Sequence, residues 1–401
     1  MRILRAICRI ILGLTLIMSG MLKLIDPVGT GLIVKEYLSF LHLGFLNGGA
    51  VALGIALSSI EFITGACIAI ANRIRIFSWI ALILMGGFTL LTLYLALFNP
   101  IADCGCFGEA IHLTNWQTFL KNIVLMLCAL LVFFQRKNFT RLAPTALEWS
   151  FTALFTAIAL WIGISSLNHL PVKDFTTLRE GTDLVALSEE QMSYETTFIY
   201  SKDGEEAEFT IEDLPDSTWT FVDSRTVVKE GSERMAQIDL SLRDMDGEYD
   251  NELLMGPGRH FAAVVWDNAH MTPRKWERLE AFKQRVESAG ERLILLSASE
   301  NVPDEFYDDC YVVDRKTLMT LLRSNGGAVY VNEGTIAFKW SSKSLGDGAF
   351  DKIMSEDPDN TILNTILSST SRFNLNIIGI LLILALIRYF CRALRRKKKS
   401  E

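Results

Sequence analysis

Long apolar runs dominate the first 170 residues and return once near the C-terminus. They lie near 6–24, 48–71, 76–98, 116–134, 146–168 and 374–391, each bounded by charge, Pro or Gly. A helix needs roughly 20 apolar residues to cross a bilayer. In lipid only such a helix pairs every backbone group within its own segment. The pattern therefore predicts six membrane-spanning helices, with 25–47 and 99–115 as loops. Between the fifth and sixth runs, over 169–373, short alternating stretches and one amphipathic stretch replace the apolar runs.

Lys and Arg in the short connections set the orientation. Arg2, Arg5 and Arg9 precede the first run, and Arg73 and Arg75 follow the second. Arg136, Lys137 and Arg141 follow the fourth; Arg388, Arg392, Arg395, Arg396, Lys397, Lys398 and Lys399 end the sixth. With six spans, all four clusters fall on one side. Both termini are then cytoplasmic, and 25–47, 99–115 and 169–373 face outward. The alternative for the first run is a cleaved signal peptide ending near Ser19-Gly20, against which stands its length. The basic tail over 392–401 reads as an anchor on anionic headgroups.

In the outer block, 171–210 reads as a linker leading into strands. Thr196–Tyr200 and Glu208–Ile211 suggest a hairpin across Lys202-Asp203-Gly204, and Thr218–Val222 with Thr226–Lys229 a second. Further on come a strand (His260–Trp266), a helix with Trp276, Leu279, Phe282 and Val286 on one face, two short strands (Arg292–Leu296, Tyr311–Val313), a short helix (Lys316–Arg323) and a hairpin (Ala328–Val331, Thr335–Lys339). That order resembles the thioredoxin fold over about 250–342. The strand-to-helix junction reads Asp267-Asn268-Ala269-His270-Met271, without the C-x-x-C of thioredoxin-like oxidoreductases. Asn325-Gly326-Gly327 stands where such enzymes carry proline. This block is expected to do no thiol chemistry, with Cys310 a buried small hydrophobe and His270 a surface or packing residue.

Half of the chain is apolar and 21% is charged. All but seven of its 46 acids lie between Asp174 and Asp359, so the formal charge of −7 hides an uneven distribution, with one acidic, water-facing block inside an otherwise apolar chain. The basic residues flank apolar runs and form no single face, so no nucleic-acid partner is expected.

Of the seven cysteines, only Cys104 and Cys106 are close in sequence, in Asp103-Cys104-Gly105-Cys106-Phe107-Gly108. Cα atoms two residues apart can approach the limit of about 7 Å for a disulfide. Gly105 and Gly108 give the backbone freedom to turn. So small a ring is strained and easily reduced, the mark of an exchange-competent pair. Asp103 beside it is expected to raise the thiol pKa values. Three other readings stand: a static loop clip, a metal site with His112 as third ligand, and two free thiols without a role.

Glu61 sits mid-span, where a charge must pair or be protonated. Ser58, Ser59 and Thr64 lie within about a turn of it, and either a proton route or a structural hydrogen bond follows. Lys23 and Asp26, three apart at the outer end of the first span, are placed to pair on one helix face.

The run from Arg9 to Asp26-Pro27, with Gly13 and Ser19-Gly20-Met21-Leu22-Lys23, resembles the opening helix of DoxX-like and MauE-like membrane proteins. Glu61-Phe62-Ile63-Thr64-Gly65 and Asp103-Cys104-Gly105-Cys106-Phe107-Gly108 fit the same pattern, over roughly 1–140. Ser217-Thr218-Trp219-Thr220-Phe221-Val222-Asp223 resembles the extension found on DoxX-family proteins. The resemblance implies a four-helix redox-associated domain with a disulfide-handling role. It links the family to methylamine utilisation and to maturation of a disulfide-rich periplasmic dehydrogenase.

The fold class that follows is an α-helical polytopic membrane bundle. It comprises a four-helix core (1–140), spans 146–168 and 374–391, and an α/β thioredoxin-like extracytoplasmic domain (169–373). The expected place is a bacterial inner membrane, and the expected partners are the bilayer and a periplasmic client protein with thiols. Cys104 and Cys106 are the candidate catalytic pair. Asp103, Gly105, Phe107, Gly108, Glu61, Lys23 and Asp26 support them, and a membrane quinone is the candidate electron acceptor. The competing reading is a non-enzymatic envelope assembly scaffold with a static Cys104–Cys106 clip. A transporter built on Glu61 ranks below both, because the spans offer no second charge for a relay.

Overall fold

The computed structural model describes residues 2–99, 104–191, 194–202, 205–209, 219–228, 240–250 and 252–400. The chain forms two compact units, Met1–Thr176 with Leu367–Glu401, and Thr177–Ile366.

The first unit is helical. Its helices are α1 (Arg2–Ile25), α2 (Pro27–Phe40), α3 (Ala50–Ile70), α4 (Ile74–Phe98), α5 (Asn115–Phe134) and α6 (Thr145–Asn168). Among the described residues, six helices are long and apolar enough to cross a membrane: α1, α3, α4, α5, α6 and a C-terminal helix over Pro358–Cys391. The tightest pairing joins α1 to α3. A Cβ at Gly20 would meet the Phe62 and Ser58 backbones at 2.6 Å, and one at Gly65 would meet Ile17 N at 2.6 Å. Small residues let the two backbones approach this closely, which is how membrane helices associate without a hydrophobic drive. Leu12, Leu16, Met21, Phe62 and Cys67 fill the seam and reach Phe77, Met85 and Val132 of α4 and α5.

Basic residues from the first and last clusters meet at the C-terminal end of α3. Arg9 and Arg388 both donate to the Ala69 carbonyl at the α3 C-terminus. Arg5 lies over the Phe139 ring at 4.7 Å. Cations at a helix C-terminus meet the negative end of its dipole.

Two boundaries differ from the sequence reading. The stretch 25–47, expected to be a loop, contains α2. Asp26 caps it by accepting from Gly29 N (2.8 Å), and Pro27 fills its first turn, where no amide partner is needed. The last helix, α11 (Pro358–Ser400), begins well before the apolar run 374–391. Hydropathy sees only its apolar part. Pro358 starts the helix, the Asp357 side chain accepts from Asp359 N, and no Gly or Pro follows until Gly379.

The second unit holds two sheets. β1 (Tyr194–Lys202) pairs antiparallel with β2 (Glu205–Phe209) and with β3 (Thr220–Val228). The hairpin expected across 218–229 is therefore replaced by one strand. Its register slips between Ile199 and Tyr200 of β1, so Val222 bulges where the alternation breaks. The linker expected before these strands contains a short helix, α7 (Leu184–Gln191). Residues 203–204, 210–218 and 229 of the expected hairpins lie outside the described residues.

The six-stranded sheet has the order β4-β7-β6-β5-β8-β9, with β4 (Arg243–Asp244), β5 (Arg259–Val265), β6 (Leu293–Ser297), β7 (Cys310–Val312), β8 (Gly327–Asn332) and β9 (Thr335–Trp340). β5, β6 and β7 run parallel, and β8 returns antiparallel to β5. α8 (Pro273–Ser288) connects β5 to β6, α9 (Arg315–Leu321) precedes β8, and α10 (Ala349–Ser355) follows the sheet. Phe261 to Val265 are all buried, so β5 reads as a continuous apolar run with both faces covered. Its Phe261, Ala263 and Val265 share a core with Leu279, Phe282 and Val286 of α8 and with Trp340 and Phe350.

Candidate functional site

The loop between α4 and α5 brings the two expected sulfurs together. Cys104 Sγ and Cys106 Sγ lie 2.7 Å apart, with Cys104 buried and Cys106 half-buried. That is longer than a disulfide bond of about 2.05 Å but within easy closing distance. Gly105 (φ +65°) and Gly108 (φ +59°) both take the left-handed conformation that the turn requires. Gly108 N donates to Gly105 O (3.0 Å) and closes the turn. A side chain at Gly105 would also collide with Ile33 of α2, whose Cδ1 lies 2.6 Å from the position of a Cβ.

Two helices hold the loop by its carbonyls. Tyr37 OH of α2 donates to Cys104 O (3.0 Å). Ser19 Oγ of α1 sits 2.7 Å from Cys106 O and 2.7 Å from Glu61 Oε2. One hydroxyl proton serves one acceptor at a time. Ser19 therefore links the loop carbonyl to the buried Glu61 side chain, sharing one hydroxyl between the two acceptors.

Glu61 itself is fully buried (0% exposed) on α3, and its Oε1 accepts from Lys23 Nζ at 2.5 Å. The pairing expected of a mid-span charge is thus supplied by α1. The i, i+3 pair expected between Lys23 and Asp26 gives way to separate duties, Lys23 bridging to Glu61 and Asp26 capping α2. Helix turn geometry favoured the local partner, but α1 and α3 pack so closely that the distant one lies nearer. Ser58, Ser59 and Thr64, expected around Glu61, have hydroxyls without a hydrogen-bond partner among the described residues.

The loop chemistry also corrects the expectation of two raised thiols. Cys106 is lowered to about 7, chiefly by a hydrogen bond from Cys104, with help from Lys121 and Lys23 against burial. Cys104 moves the opposite way, because it holds the shared proton for Cys106 and is itself buried. The residue on which that expectation rested, Asp103, lies outside the described residues. Sequence reasoning missed Lys121, which is on α5 with its Nζ 4.4 Å from the Phe107 ring centroid. It also missed Tyr37. The capping signal Asp26-Pro27 would have revealed α2, the helix that carries Tyr37.

Among the described residues no group of three His, Cys, Asp or Glu is arranged to hold a metal. His112, a possible third ligand from sequence, is exposed.

In the second unit an open cleft of about 630 Å³ lies at the carboxyl ends of β5 and β6, lined by Trp266, Asp267, Trp276, Asn301 and Arg315 among others. No cysteine is among its described lining residues. His270 bonds Asp267 (3.0 Å), which also pairs with Arg315 (2.8 Å). Asn325 Oδ1 accepts from Trp266 N and Asp267 N, tying the β5 end to the loop before β8. Cys310 is buried on β7, and burial pushes its thiol up to about 11.

These features define a multi-pass helical membrane protein with a paired-cysteine loop set over a buried Lys–Glu pair, joined to a domain built on a mixed sheet. Residues 1–135 match the family model described as methylamine utilisation protein MauE. Residues 194–231 match a domain of unknown function (DUF8463). No curated protein and no solved structure matches the chain.

Proposed function

We propose that the protein exchanges disulfides with a thiol-bearing client through Cys104 and Cys106. The observation that carries this reading is the loop itself: two sulfurs within bonding reach, one of them lowered to about 7, over a buried ion pair. In the oxidised pair, a client thiolate attacks one sulfur, the Cys104–Cys106 bond breaks, and a mixed disulfide forms. The client's second thiolate then attacks the client sulfur of that bond. The client leaves oxidised, and Cys104 and Cys106 keep two electrons as a dithiol.

The setting is a bacterial inner membrane with the cysteine loop on the periplasmic side. The basic residues that meet at the C-terminal end of α3 support that orientation, with both termini cytoplasmic. The second unit is read as a thioredoxin-like domain, because β6-β5-β8-β9 has the strand order and directions of that fold. Without a cysteine at its β5–α8 junction, its role is to recruit the client. The MauE match supports work in methylamine utilisation, where the client is a periplasmic enzyme whose maturation needs disulfides.

Thiol trapping in intact cells tests the proposal. A mixture of oxidised and reduced pair is expected, together with a client mixed disulfide captured in a Cys104→Ser or Cys106→Ser strain. A pair that is always oxidised, with Ser replacements harmless to the pathway, makes it a static clip. Labelling of Cys106 only from the cytoplasmic side refutes the orientation.

A further inference from the structure

Beneath the cysteine loop, α1 to α5 enclose a cavity of about 110 Å³. Leu16, Ile33, Leu57, Met85, Phe88 and Leu125 make most of its wall apolar, while Cys104 and Cys106 form part of its rim. Set in this wall is Ser58, 1% exposed, whose Oγ has no hydrogen-bond partner among the described residues. A buried hydroxyl without an acceptor is costly. It marks a place where a ligand oxygen would be welcome.

A water molecule needs about 10–15 Å³ and two to four polar partners. The space holds roughly eight atoms of that size, about one six-membered ring with two oxygens, and dry cavities of similar scale bind benzene. Lys23, Lys121 and Asn122 also line the cavity, so the ligand these features select is flat, mainly apolar and carries hydrogen-bond acceptors. Four of the helices around the cavity, α1, α3, α4 and α5, are long and apolar enough to cross a membrane, which suits a ligand that partitions into a bilayer.

We propose that this cavity receives the head ring of a membrane quinone, with Ser58 donating to one ring carbonyl and the Cys104–Cys106 pair delivering electrons to it. The proposal rests on the thiol-exchange reading and supplies its electron outlet. The dithiol loses two electrons and two protons as the Cys104–Cys106 bond forms. The quinone gains both and leaves as the quinol, so the oxidised pair is restored for the next client.

Binding can be tested apart from electron transfer. The full-length Cys104→Ser/Cys106→Ser protein in detergent is titrated with a short-tailed benzoquinone, and its melting temperature is followed. Saturable stabilisation is expected. Ser58→Ala, which keeps the cavity and removes the donor, should raise the half-saturating concentration at least fivefold. Ser58→Leu, which fills the cavity, should abolish the effect. No stabilisation, or the same titration in all three proteins, overturns the proposal. A reduced dithiol peptide, offered to the protein with native cysteines and oxidised pair, reports on exchange alone. Peptide oxidation without quinone stabilisation sinks only the quinone site. Ser58-dependent stabilisation without peptide oxidation supports the cavity as a quinone site and sinks the exchange reading.

Discussion

The shared proton between Cys104 and Cys106 makes a quantitative prediction about alkylation. With Cys106 at about 7 against an ordinary 9.0, half of it is thiolate at pH 7. An ordinary thiol is then only about one-hundredth ionised, so Cys106 has about fifty times the reactive fraction. Its lower basicity costs intrinsic nucleophilicity: with a Brønsted slope of about 0.4–0.5, the loss is about six- to tenfold. The reduced protein should therefore react with a maleimide at Cys106 about five to eight times faster than an ordinary thiol at pH 7. Above pH 10, where both are ionised, it should react about six to ten times more slowly. The thiolate is lost as pH falls through about 7, so the rate should halve there and drop tenfold per unit below. Labelled peptides from the reduced, full-length protein, separated by mass spectrometry over pH 5–11, give the profile for each cysteine. Cys104→Ala removes the principal donor, and Lys121→Met removes a stabilising cation; each should move the midpoint upward. A midpoint near 9 in the unaltered protein, indifferent to both substitutions, would refute the shared proton.

Two further outcomes follow from the geometry. Lys23→Met strands the Glu61 carboxylate in a fully buried site and should cost about 3–5 kcal/mol of unfolding free energy in detergent. Combining it with Glu61→Gln should recover more than half of that loss; strictly additive costs would show that the two do not act as a pair. Gly105→Ala must hold a left-handed φ, at about 1–2 kcal/mol, and displace Ile33 as well. Its melting temperature should fall, and Ile33→Ala should restore part of the drop. Equal melting points for Gly105→Ala and the parent would show that the turn is not fixed as described.

Much of the membrane unit is legible from composition alone. An apolar run in lipid has one solution, a helix, and the runs at 76–98, 116–134 and 146–168 fall within two residues of α4, α5 and α6. The edges fail where hydropathy is silent. Residues 358–373 are polar enough to hide, yet they continue α11, because helix continuation depends on the lack of a breaker rather than on apolarity. The segment 27–40 carries a cap signal in Asp26-Pro27, but it is too short for hydropathy to mark it as a span.

The sequence by itself determined the cysteine spacing, the glycines that let the loop turn, and a buried carboxylate in need of a partner. Which partner it found was a tertiary matter. Local spacing offered Lys23 to Asp26, but the glycine-lined seam between α1 and α3 brought Lys23 to Glu61 across 38 positions of chain. The same holds for the polarity of the thiol pair. A neighbour in sequence, Asp103, argued for two raised thiols. Yet pKa values answer to distance in space, and there Cys106 meets Cys104, Lys121 and Lys23.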